Sequence, residues 1–124
     1  MQPKKKILLI EDELEFRQAI RIRMEANGYE IVEAADGMAG LDAVRNQAPD
    51  LIILDVMLPK MDGFKVAQLL KSDPQYKHIP LVILTVMSQA YHHKMGQAVG
   101  ADGYLTKPCQ PRELLDMVAN LLSR

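Results

Sequence analysis

Five short apolar runs recur along the chain, and each predicts a β-strand. They span Ile7 to Ile10, Tyr29 to Val32, Leu51 to Leu54, Leu81 to Leu84 and Gly103 to Leu105. The first, third and fourth runs are apolar at every position, which is typical of strands that are covered on both faces in a parallel sheet. Helices are therefore expected on both sides of the sheet.

The segments between these runs carry apolar residues at helical spacing. The clearest set is Phe16, Ile20 and Met24, followed by Asn27-Gly28, a pair that favours a helix C-terminus. Three later segments repeat this spacing, with apolar positions at Leu41, Val44 and Ala48; at Phe64, Ala67 and Leu70; and at Leu114, Leu115, Val118, Leu121 and Leu122. The helix predicted over Ser88 to Val99 is the weakest, because Gly96 interrupts it and its apolar positions are sparse.

Strand and helix alternate five times, which predicts a doubly wound α/β fold with right-handed crossovers. The chain has 124 residues, of which 48% are hydrophobic, enough to bury one substantial core. No second domain or linker fits this pattern. We therefore expect residues 1–124 to form a single domain.

Charge and cysteine content narrow the possible partners and compartments. Fifteen basic and sixteen acidic side chains leave a formal charge of −1, so no general attraction to nucleic acid or to a membrane surface is expected. The single cysteine, Cys109, excludes an internal disulfide and zinc motifs with paired cysteines, which fits the cytoplasm. The apolar run after Lys6 is too short to act as an export signal or to span a bilayer. Function is therefore expected in a local site.

Polar side chains that could bind a ligand or react follow four of the five apolar runs. In an open α/β sheet, ligands bind outside the carboxyl ends of the strands. Glu11 and Asp12 follow the first run, Asp55 the third and Thr85 the fourth, and Lys107 lies two residues beyond the fifth. Each residue alone has an ordinary explanation as a helix cap or a solvated charge. Together they predict three acids, a hydroxyl and an amine at one edge of the sheet.

This set of groups suits metal-assisted phosphoryl transfer. Clustered carboxylates stay ionised together when a cation lies among them, and Asp12 and Asp55 offer the hard oxygen ligands that Mg²⁺ or Mn²⁺ prefers. Glu11 is expected to act through a bound water. Lys107 can pair with Asp55 at rest and with a phosphoryl oxygen afterwards. Asp55 is therefore the predicted phosphoryl acceptor, and a bond from the Thr85 hydroxyl to the new group would shift a conformational equilibrium.

Taken together, these residues resemble the receiver domain of two-component response regulators. The loop Leu58 to Gly63 and the segment Gly100 to Tyr104 are also similar to signatures of that family, and the resemblance covers essentially the whole chain. It implies a flavodoxin-like, five-stranded parallel sheet in the order 2-1-3-4-5. It also implies a phosphoacceptor that assists its own phosphorylation and dephosphorylation, rather than an enzyme.

The resemblance implies partners and further roles as well. The phosphoryl group would come from a sensor histidine kinase or a histidine phosphotransfer protein. Mg²⁺ would be bound by Asp12, Asp55 and the backbone carbonyl of Met57. Tyr104 matches the aromatic residue that changes rotamer as the Thr85 hydroxyl moves.

Two further expectations come from the same family. Lys107 and Pro108 are expected to be joined by a cis peptide bond that aims the lysine at the site. The signal would pass to an unidentified downstream protein through the surface around Ser88 to Leu122, which the fourth helix, fifth strand and fifth helix would form. Nothing follows the last predicted helix, so the chain either acts alone or is part of a longer regulator.

Three other functions compete with this one. An aspartate-dependent phosphohydrolase needs a second Asp two residues after the first, where this chain has Met57. A nucleotide-binding fold needs a glycine-rich loop after the first strand, where this chain has Glu11 and Asp12. The third is a receiver-fold interaction module that does not depend on phosphorylation. The complete set of acids, hydroxyl and lysine argues against that module.

Overall fold

Five strands and five helices alternate along residues 3–124, the part of the chain that the computed structural model describes. The strands are β1 (Lys6–Ile10), β2 (Glu30–Ala34), β3 (Leu51–Leu54), β4 (Leu81–Thr85) and β5 (Gly103–Thr106). The helices are α1 (Leu14–Ala26), α2 (Gly37–Gln47), α3 (Gly63–Ser72), α4 (Ala90–Ala98) and α5 (Pro111–Leu122). Within these residues, none of the helices combines the length and hydrophobicity needed to cross a bilayer.

The strands form one parallel sheet in the order β2-β1-β3-β4-β5, which confirms the order that the family resemblance implied. The register aligns the carboxyl ends of β1, β2 and β3 at one edge of the sheet, because Ile10 at the end of β1 lies opposite both Ala34 and Leu54. The alignment extends one residue further. The amide of Glu11 donates to the Ala34 carbonyl, and the amide of Asp55 donates to the Ile10 carbonyl, both at 3.0 Å. The two acids therefore leave the sheet side by side.

Both faces of the sheet are covered, as the unbroken apolar runs predicted. Every residue of β3 and β4 is buried, and so are the last four residues of β1. One face packs against α2 and α3 through residues such as Ile10, Val44 and Val66. The other packs against α1 and α5 through residues such as Leu9 and Met24. The central strands are thus held from both sides, which gives the site a rigid base.

Several predicted boundaries were wrong at the ends of elements. β2 begins and ends later than the apolar run, because pairing with β1 extends as far as Ala34 and recruits the polar Glu33. Ala48 lies outside α2, as a C-cap residue in the left-handed region with φ of 47°. Thr85 is the last residue of β4 rather than the residue after it. Hydrogen bonding between strands decided each strand end, and local hydrophobicity does not report it.

Candidate phosphoacceptor site

Asp55 follows β3 directly and is 7% exposed. Its two carboxylate oxygens have different partners. Oδ1 accepts a hydrogen bond from the Met57 amide at 2.9 Å, and Oδ2 accepts one from Lys107 Nζ at 2.9 Å. The carboxylate is therefore oriented by its own loop on one side and by a cation from beyond β5 on the other. The two charged side chains come from positions 52 residues apart in the sequence.

Lys107 is held in place by its backbone and by three side chains. The Lys107-Pro108 peptide bond is cis, as expected, and the Lys107 amide donates to the Thr85 carbonyl at 2.7 Å. The ammonium also contacts Glu11 Oε1, and it lies 3.8 Å from the centre of the Phe16 ring. A cation over an aromatic face is attracted to it, most strongly where water is excluded. The contact of Phe16 was missed, because its helical spacing indicated only a core position.

Glu11, Asp12 and Asp55 come together as the sequence predicted. Each offers one carboxylate oxygen that lies within 4.8 Å of the other two. Glu11 is 1% exposed and its other oxygen accepts from the Glu13 amide at 3.1 Å, whereas Asp12 is exposed. Hard oxygen donors clustered beside open solvent fit Mg²⁺, which keeps several of its waters when bound. The water-mediated role of Glu11 stays a prediction, and the structure adds its direct contact with Lys107.

Two carboxylates share one ammonium in this site, and the pKa values of Glu11 and Lys107 are both raised, for different reasons. Burial raises the pKa of Glu11, and the hydrogen bonds from Lys107 and from the Glu13 amide offset this only in part. Burial by itself lowers the pKa of Lys107, but its bonds to Glu11 and Asp55 outweigh burial and leave that pKa raised. The site therefore holds its lysine charged and attracts a further cation.

Thr85 and Tyr104 meet at the backbone of Met87. The Thr85 side chain is fully buried, and its Oγ1 lies 3.5 Å from the Met87 amide. The Tyr104 hydroxyl donates to the Met87 carbonyl at 2.7 Å. Burial and the charge of Asp55 raise the pKa of Tyr104. A movement of the Thr85 hydroxyl would therefore reach Tyr104 through the backbone of a single residue, Met87.

The ring of Tyr104 packs against two residues of α4. The His93 ring lies against it, with ring centroids 4.1 Å apart. Gly96, one turn further along α4, also lies close to the ring, since an added Cβ atom there would be 2.8 Å from Tyr104 Cδ2. The glycine that weakened the predicted helix thus makes room for the aromatic ring.

We expect Gly96→Ala to couple energetically with Tyr104. Helix propensity alone would stabilise the protein by about 1 kcal/mol, but the new methyl group collides with the ring and cancels that gain. In a Tyr104→Ala background the gain should return, so a double-mutant cycle should give a coupling of about 1 kcal/mol. Urea unfolding of the four proteins measures it. Equal effects of Gly96→Ala in both backgrounds would show that the ring does not need this space.

Comparisons with known proteins agree with this geometry. The sequence profile of the response regulator receiver domain matches residues 7–119. The DNA-binding dual master transcriptional regulator RpaA of Synechocystis is 41% identical over 119 residues, which are 96% of this chain and 49% of that protein. The chain therefore spans about half the length of the curated relatives it matches.

Solved structures show the same fold. The chemotaxis response regulator CheY4 of Vibrio cholerae superposes with a TM-score of 0.88 at 34% identity, covering 95% of this chain and 98% of that one. The Mn²⁺-bound form of the response regulator Rcp1 superposes with a TM-score of 0.81 at 29% identity, covering 96% and 92%. The profile match, the strand order and the strand-end acids lead to one conclusion: this chain belongs to the response regulator receiver domain family.

Proposed function

We propose that Asp55 is the phosphoryl acceptor of this receiver domain. The observation that carries the proposal is the placement of its carboxylate, which is buried at the end of β3, 2.9 Å from Lys107 Nζ and beside the carboxylates of Glu11 and Asp12. A nucleophile in such a position can attack a phosphoryl group because cations neutralise the charge on the transferring oxygens. Thr85, at the end of the adjacent strand β4, is the third member of the reacting set.

In the proposed reaction, one Asp55 oxygen attacks the phosphorus of a phosphohistidine on a partner kinase or phosphotransfer protein. A P–O bond forms as the P–N bond breaks, and the departing imidazole nitrogen keeps the electron pair and takes up a proton. Lys107 then pairs with a phosphoryl oxygen instead of Asp55 Oδ2. Thr85 donates its hydroxyl to another phosphoryl oxygen, which weakens its present contact with the Met87 amide.

A divalent cation, Mg²⁺ or Mn²⁺, would be held by Asp12, Asp55 and the Met57 carbonyl, with Glu11 acting through a water. When bound, it supplies positive charge to the phosphoryl oxygens. The acidic cluster and the Mn²⁺-bound relative support this choice. The chain's own contribution is to hold the Asp55 carboxylate in a fixed orientation while Lys107 remains charged.

The output surface in this proposal is formed by α4, β5 and α5. Tyr104 on β5 contacts His93 on α4 and the Met87 backbone, so a change at Thr85 reaches this surface directly. A downstream protein would bind there, with no direct contact to nucleic acid or membrane. The cytoplasm, indicated by the lone cysteine, is the proposed compartment.

Phosphorylation is tested by mass spectrometry after incubation with Mg²⁺ and acetyl phosphate. We expect one added phosphate on the wild-type protein, released by hydroxylamine as an acyl phosphate should be, and no addition on Asp55→Asn. Asp62→Asn is the matched control, because Asp62 caps α3 in the following loop and lies outside the acidic cluster. Labelling that survives Asp55→Asn would move the acceptor elsewhere. No labelling by acetyl phosphate or by any kinase would favour the phosphorylation-independent interaction module.

A further inference from the structure

We propose that Arg17 is a positioning residue for the metal-binding acids, acting through the main chain of Glu11. The inference rests on the proposed function, since it concerns the same acidic cluster. Arg17 lies in the first turn of α1, between the apolar residues Phe16 and Ile20. In the structure its guanidinium turns back toward the end of β1.

Arg17 makes two hydrogen bonds in different directions. Nη1 donates to the carbonyl oxygen of Glu11 at 2.8 Å, and Nε donates to Glu33 Oε1 at 2.8 Å. The side chain is only 15% exposed. Arginine suits this task because its rigid planar group carries several donors at fixed angles. It therefore ties the loop after β1 to the neighbouring strand β2.

Glu33 anchors the guanidinium on the strand side. It lies on β2 opposite Leu9 of β1, and it also pairs with Arg21 one helical turn further along α1. Burial by itself raises the pKa of Glu33, but the hydrogen bonds from Arg21 and Arg17 outweigh burial and lower it. Glu33 therefore stays ionised and holds Arg17 in its bridging position.

The bond to the Glu11 carbonyl fixes the peptide plane that leads into Asp12. The Glu11 amide already donates to the Ala34 carbonyl, so both polar backbone groups of Glu11 are tied down. The Asp12 side chain is exposed and extends from this backbone. A fixed Glu11–Asp12 peptide thus limits the positions that the Asp12 carboxylate can reach. Loss of a contact that orients a metal ligand commonly lowers metal affinity 10- to 100-fold.

Positioning and simple charge predict opposite effects of removing Arg17. A cation near the site repels Mn²⁺, so losing it would tighten binding on Coulombic grounds alone. Loss of a positioning bond would weaken binding. Arg21 provides the matched comparison, because it pairs with the same Glu33 but makes no hydrogen bond to the Glu11 carbonyl.

The experiment measures Mn²⁺ affinity by the electron paramagnetic resonance signal of free Mn²⁺, with metal-stripped protein and no phosphodonor. We expect Arg17→Gln to weaken binding roughly tenfold. Arg17→Lys keeps the charge but loses the forked geometry, so it should weaken binding as well. Arg21→Gln should leave the affinity unchanged or slightly higher. Urea unfolding without metal confirms that each variant is folded at the assay temperature.

The outcomes separate this inference from the proposed function. Unchanged or tighter Mn²⁺ binding by folded Arg17→Gln and Arg17→Lys would overturn the positioning role. Equal weakening by Arg21→Gln would also overturn it, because the effect would then come from Glu33 rather than from the Glu11 carbonyl. Failure of the wild-type protein to bind Mn²⁺ at all would instead count against the metal site itself.

Discussion

Gly63→Ala is expected to lower the free energy of unfolding by about 3 kcal/mol, the upper end of the usual range for overpacking. A Cβ atom at this position would lie 2.2 Å from the Cα of Val56 and 2.8 Å from its carbonyl carbon and oxygen. These are backbone atoms, which cannot turn aside as a side chain does. The loop that follows Asp55 would have to move, and the hydrogen bond from the Gly63 amide to the Val56 carbonyl at 3.0 Å would be lost.

Urea unfolding measures this loss, with Gly28→Ala as the control. Gly28 has open space around its Cα but a φ of +89°, so an alanine there should cost only about 1 kcal/mol of backbone strain. Both substitutions remove the flexibility of a glycine, but the remaining cost comes from backbone strain at Gly28 and from collision with the Val56 backbone at Gly63. Similar losses for both variants would contradict the steric account. Because Val56 adjoins Asp55, Gly63→Ala should also reduce phosphate labelling in the fraction that remains folded.

Lys107→Met is expected to lower the free energy of unfolding by about 3 kcal/mol at pH 7, because it leaves Glu11 and Asp55 buried without their cation. Both carboxylates are less than a tenth exposed. The methionine fills similar space, so lost packing contributes little. The variant should also lack the ion pair between an ammonium and a phosphoryl oxygen on Asp55, since no other ammonium is bonded to Asp55 among the described residues.

The loss should depend on pH in a definite direction. The pKa of Glu11 is raised in the folded protein above the ordinary value of 4.5, and without Lys107 it should rise further. A group with a raised folded pKa contributes stability that is fully present below its unfolded pKa and is lost as pH rises through its folded pKa. The variant should therefore gain stability relative to wild type as pH falls from 7 toward 4.5.

Unfolding midpoints in urea at pH 7 and pH 5 measure this effect. Lys65→Met is the control, because Lys65 is an exposed lysine on α3 that makes no salt bridge among residues 3–124. Its deficit relative to wild type should be near zero at both pH values. If the loss of unfolding free energy in Lys107→Met stays constant or grows on acidification, the charge of the buried carboxylates is not the cause of that loss.

The sequence by itself predicted the order of the elements and the residues of the proposed site. Continuous apolar runs predicted β1, β3 and β4, because a strand buried on both faces cannot carry polar residues. Asp55, Thr85 and Lys107 were predicted as site residues because parallel strands bring their carboxyl ends to one edge of the sheet. The strand order came from family resemblance, since no local pattern encodes which strands are neighbours.

Only the tertiary structure decided how these groups contact one another and what supports them. Lys107 bonds Glu11 across 96 residues of sequence, and nothing in the pattern around either residue reports that distance. Helical spacing predicted only a core position for Phe16 and gave no signal for Arg17, yet Phe16 contacts the Lys107 ammonium and Arg17 bonds the Glu11 carbonyl. In the sequence Gly96 only weakens the predicted helix, whereas in the structure the Tyr104 ring fills the space that a side chain would need there. Hydrophobic periodicity reports which face of an element is buried, whereas these contacts depend on the position and angle at which the faces meet.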